Sequence, residues 1–60
     1  MDYLIRAEHY RVQADRCRQE AAKATLPQVR AQWLTLATQY DQLRVQMLEL
    51  SAINRERPTR

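Results

Sequence analysis

Sixty residues with no Gly, two Pro and one Cys allow one small domain and exclude doubly wound nucleotide folds and enclosed active sites. Without Gly there is no phosphate-cradling loop and no tight turn that needs positive φ. A single Cys permits neither an intrachain disulfide nor a Cys-based zinc cage, and ten basic against seven acidic residues leave a charge of +3.

The first element is a helix over about residues 2–24. Tyr3, Ala7, Tyr10, Ala14, Cys17, Ala21 and Ala24 recur at spacings of four and three, the pattern of an a/d heptad seam. No alternation of period two, as a strand would need, is sustained. Acid–base neighbours three or four apart support the helix at Asp2–Arg6, Glu8–Arg11, Asp15–Arg18 and Glu20–Lys23. The one internal break is Thr25-Leu26-Pro27. Pro27 cannot continue a helix but suits the first turn of a new one. Thr25 with Gln28 three residues on reads as a capping box.

The second helix is expected over about 26–54. Its seam is read as Leu26, Val29, Trp33, Leu36, Tyr40, Leu43, Met47 and Leu50, again at spacings of three and four, with Asp41–Arg44 as a further ion pair. A mostly small seam against a large one, joined by a short connection, predicts an antiparallel two-helix hairpin as the domain, residues 1–54. Residues 55–60 hold three Arg, one Glu and the second Pro. They read as a flexible basic tail.

The large seam exceeds what seven mostly small partners cover, and Leu34, Ala37 and Leu48 widen its stripe. Self-association is therefore expected, with two hairpins pairing into a four-helix bundle. Tyr10, Cys17, Trp33, Leu36, Tyr40, Leu43, Met47 and Leu50 are its core residues. A C2 homodimer comes first, a higher oligomer second. A different protein docking on the same stripe is the rival.

Chemistry is sparse. His9 and Cys17 are the only imidazole and thiol. Eight residues apart on one helix, they stand about two turns apart with directions differing by roughly 80°. No nucleophile sits with a base and no Glu-x-x-His pair is present. The expectation is a non-enzyme without cofactor, metal or catalytic residues. Heptad positions do yield one charged feature. Arg11 and Arg18 fall at e on the first helix, Arg30 and Arg44 at e on the second, all on one edge. The other edge receives Arg6, Gln13 and Glu20 against Gln32, Gln39 and Gln46. An arginine row of this kind suits an anion, and nucleic acid is the alternative partner. No segment has the pattern of a secretory leader or membrane span, so a cytoplasmic location is expected.

The order Tyr3…Arg6-Ala7-Glu8, then Ala24-Thr25-Leu26-Pro27…Arg30-Ala31-Gln32-Trp33-Leu34…Leu36-Ala37…Tyr40 resembles a group of short alphaproteobacterial helical-hairpin proteins of unknown function. The resemblance covers roughly residues 3–43. It implies a bacterial source and supplies no activity to carry over. Where that group often has a Cys-Arg pair, this chain has His9-Tyr10, and Leu26 stands where Asp precedes the Pro. In size and layout the chain is also similar to Rop, a small plasmid RNA-binding regulator, without a shared motif. That similarity is one of architecture, and fold does not give function.

Overall fold

The computed structural model describes residues 2–56 and the side chains of residues 2–53. It is an all-α hairpin of two helices, α1 (Tyr3–Lys23) and α2 (Pro27–Glu56). At 1.5 Å per residue they are about 32 and 45 Å long, so α2 overhangs the start of α1 at the open end. Arg55 and Glu56, expected in the tail, still belong to α2. Residues 57–60 lie outside the described residues.

Local chemistry sets the helix ends. Asp2 caps α1, its carboxylate accepting from the amides of Leu4 at 3.0 Å and Ile5 at 3.4 Å. These amides have no partner inside the helix. Asp2 thus serves the backbone, whereas the sequence pairs it with Arg6. Ala24 ends α1 in an extended conformation, φ −69° and ψ 133°. Its amide is shared between the carbonyls of Glu20 and Ala21. No described residue has positive φ, so the turn needs no Gly. The carbonyl that opens α2 is that of Leu26, which accepts from Arg30 N at 3.0 Å. The cap position is therefore one residue later than the Thr25 capping box predicts. Arg30 turns back and donates from Nη2 to the Ala24 carbonyl at 3.0 Å. A cation at that point also complements the negative end of the α1 dipole.

Ala7, Ala14, Cys17 and Ala21 form the buried stripe of α1. On α2 the inward side corrects the expected seam. Ala37 is 2% exposed, whereas Val29, Leu36 and Leu50 are 38%, 37% and 39% exposed and Leu26 is 62% exposed. Trp33, Tyr40 and Met47 are half-buried, and so are Arg44 and Ser51. The row against α1 is thus Trp33, Ala37, Tyr40, Arg44, Met47 and Ser51. It shares 33, 40 and 47 with the predicted seam and adds 37, 44 and 51, while 29, 36 and 50 are left exposed and Leu43 stays half-buried at its flank. Packing explains the choice. One large row fills the space over the alanines of α1, and the second must be small or shallow for the helices to stay close. Ala14, at 0% exposure, is opposed by the equally small Ala37. The Tyr10 and Tyr40 rings meet across the seam with centroids 6.1 Å apart, a distance suited to aromatic attraction.

Candidate interaction surface

The register of α2 gives the hairpin two unlike edges. On one, Arg11 and Arg18 of α1 project beside Asp41 of α2. Arg11 Nε donates to Glu8 Oε1 at 3.0 Å, and Arg11 Nη1 donates to Asp15 Oδ2 at 2.9 Å. Arg18 bridges the helices. Its Nη2 reaches Asp15 Oδ1 at 2.8 Å, and its Nη1 reaches Asp41 Oδ2 at 2.9 Å. Asp41 therefore pairs across the hairpin, in place of the local Asp41–Arg44 pair that the sequence suggests. Hydrogen bonding to Arg11 lowers the Glu8 pKa, with Arg44 adding a weaker pull. Hydrogen bonding to Arg18 lowers that of Asp15, again with help from Arg11 and Arg44. The same contacts raise both arginines.

Three carboxylates, Glu8, Asp15 and Asp41, are thus held by two guanidiniums, those of Arg11 and Arg18. Of the four arginines expected to form an anion-binding row, Arg11 and Arg18 are held by carboxylates, Arg30 holds the turn, and Arg44 is half-buried in the seam row. These ion pairs lie at the surface, where solvent and salt screen them. A carboxylate with a lowered folded-state pKa stabilises the fold above its unfolded pKa and loses that contribution as pH falls through the folded value. Thermal stability is accordingly expected to fall on acidification below the ordinary values of 4.5 for Glu8 and 3.8 for Asp15. Melting curves from pH 6 to pH 2 check this, and 1 M NaCl should flatten the dependence.

The opposite edge is apolar where the sequence places amides. Val29, Leu36, Leu43 and Leu50 follow one another at intervals of seven along α2. Because 37 and 44 occupy the seam, these four residues take the flanking position there. Gln32, Gln39 and Gln46 lie one step further round, also seven apart and exposed. Across the seam α1 contributes Arg6, Gln13 and Glu20 to this edge, Gln13 and Glu20 being half-buried. Leu34 and Leu48 are exposed on the charged edge, but Asp41 stands between them at the same heptad position. The apolar row is unbroken on one edge alone.

The remaining candidates are placed simply. His9 is exposed, its ring centroid 5.9 Å from that of Tyr10. Cys17 is a free thiol buried in the alanine stripe. Among the described residues no three His, Cys, Asp or Glu side chains gather as metal ligands, and no helix is long and apolar enough to cross a membrane. Sequence reasoning missed Ala37 as a contact point. Its signal was the second spacing of three and four, through 33, 37, 40, 44, 47 and 51, hidden beneath the more apolar row. No family model, curated protein or solved structure matches the chain.

Proposed function

We propose that this chain is a non-enzymatic interaction module, a helical hairpin that self-associates through its apolar edge as a homodimer. One observation carries the proposal. The buried hydrophobic residues among those described are four alanines and a cysteine, and no large side chain is fully buried. Burial is worth roughly 0.8 kcal/mol per CH₂, so a core of this kind contributes little. Meanwhile Val29, Leu36 and Leu50 stay more than a third exposed. A second apolar surface would bury them and supply what the seam lacks. Arg11 and Arg18 on the other edge are already held by Glu8, Asp15 and Asp41, which favours this over nucleic-acid binding, where basic groups must be free to reach phosphates.

Sedimentation velocity between 1 and 100 μM is the test. A species of twice the 7.2 kDa chain mass is expected. A well-folded monomer throughout that range would overturn the proposal. Steeply salt-dependent RNA or DNA binding by that monomer would favour the nucleic-acid reading.

A further inference from the structure

We infer that the occupant of the apolar edge is a second copy of this chain lying with its turn at the opposite end, its helices pairing α2 with α2 and α1 with α1. The inference rests on the self-association proposed above and specifies its geometry. The apolar edge is about 32 Å long, the length of α1, and about 20 Å wide for two helices. That is a footprint of roughly 640 Å², the order of the ~800 Å² per partner in a standard interface. On the α2 side, from Ala31 to Tyr40 there is no charged residue. An identical surface therefore meets it without like-charge repulsion.

Charge on the α1 side fixes the direction. Arg6, at the open end, has no ion pair among the described residues. Glu20, at the turn end, holds only an exposed Lys23 at 3.4 Å. If the two turns lay together, the two-fold axis would lay α1 on the partner's α2, and Arg6 and Glu20 would meet its uncharged row of Val, Leu and Gln with no counter-ion. With turns at opposite ends, Arg6 meets the partner's Glu20, Gln13 meets the partner's Gln13, and Glu20 meets the partner's Arg6. The α2 row is self-complementary in the same sense, 29 against 50 and 36 against 43.

Both halves must share one two-fold axis. It crosses α1 at residue 13 and α2 midway between 39 and 40. Tyr10 faces Tyr40 across the hairpin, so residue 13 lies level with about residue 37. The two crossing points therefore differ by roughly 4 Å along the axis, which a small tilt absorbs. The ion network of Arg11, Asp15, Arg18 and Asp41 stays on the outside.

Site-directed crosslinking tests this. In a Cys17→Ala background, Gln32→Cys and Gln46→Cys place thiols at the outer flanks of the apolar row. Turns at opposite ends bring residue 32 of one copy beside residue 46 of the other. With bismaleimidoethane, the mixed variants should link peptide 31–44 to peptide 45–55, read by mass spectrometry after trypsin, while neither variant alone links to itself. Self-links from each variant and no mixed link would overturn the orientation. A dimer by sedimentation that gives neither link would overturn the pairing of α2 with α2 while leaving self-association standing. A monomer by sedimentation would overturn the self-association itself.

Charge provides an independent readout. Arg6→Glu should raise the dimer dissociation constant roughly tenfold through its two symmetry-related contacts, with helicity by circular dichroism unchanged. Adding Glu20→Arg should restore it. A double variant as weak as the single one would count against the Arg6–Glu20 pairing.

Discussion

Ala14→Leu is expected to cost the fold about 1–3 kcal/mol, the usual penalty of forcing extra methylenes into a packed contact. At about 4–8 °C per kcal/mol for a domain of this size, Tm should fall by roughly 5–20 °C at fixed protein concentration. Ala14 is wholly buried and the opposing row offers Ala37, itself 2% exposed. A leucine there finds no void and must push the helices apart. That would strain the Tyr10–Tyr40 contact and the bridge from Arg18 to Asp41 together. Leucine ranks next to alanine as a helix former, so propensity explains only a small part of such a loss. Thr35→Leu, on an exposed position of α2, is the control and should leave Tm nearly unchanged. Equal melting of Ala14→Leu and the parent would show that α1 and α2 do not approach through that point.

The second large effect belongs to the apolar edge. Leu36→Asp combined with Leu43→Asp should turn the proposed dimer into a monomer. Burying a leucine completely is worth about 1.5–3 kcal/mol. The single hairpin leaves Leu36 37% exposed, and Leu43 is half-buried. The unburied parts of the four side chains in a dimer amount to roughly 2–4 kcal/mol, or about 30- to 1,000-fold in dissociation constant. An aspartate at 36 facing the partner's at 43 adds repulsion. Val45→Asp, on an exposed position beside Asp41 and off the apolar row, should leave the assembly intact. If Val45→Asp and the leucine variants weakened association equally, the row of 29, 36, 43 and 50 would not be the interface.

Much of the architecture was legible in residue types alone. Pro27 ends one helix and begins another for local reasons, because its ring and missing amide act whatever surrounds them. The spacing of alanines on α1 marked its inward stripe, since only one set of positions there was consistently small. The register of α2 was not legible in the same way. Two rows of spacing three and four overlap on it and share Trp33, Tyr40 and Met47. Apolarity favoured the row with Leu36 and Leu43, and the structure uses the row with Ala37 and Arg44. The hydropathy of a helix shows which residues prefer to leave water, but not which partner removes them from it.

The ion pairs divide similarly. Glu8–Arg11, Asp15–Arg18 and Glu20–Lys23 form as neighbours on one helix, because helix geometry places residues three apart side by side. Asp41 had two cations within reach, Arg44 on its own helix and Arg18 on the other, and it takes Arg18. That choice depends on how α1 and α2 are rotated about their axes, which no local spacing encodes.

By itself, the sequence determined that there would be two helices, where they break, and that a glycine-free turn would join them. Those outcomes follow from backbone sterics and side-chain periodicity, which act over a few residues. Only the tertiary structure decided which face of α2 meets α1. That decision rests on close packing against a helix whose inward side chains are small, a condition set by the partner surface. It moved Ala37 and Arg44 inward, left Val29, Leu36, Leu43 and Leu50 together on one edge, and closed the arginines of the other edge onto carboxylates.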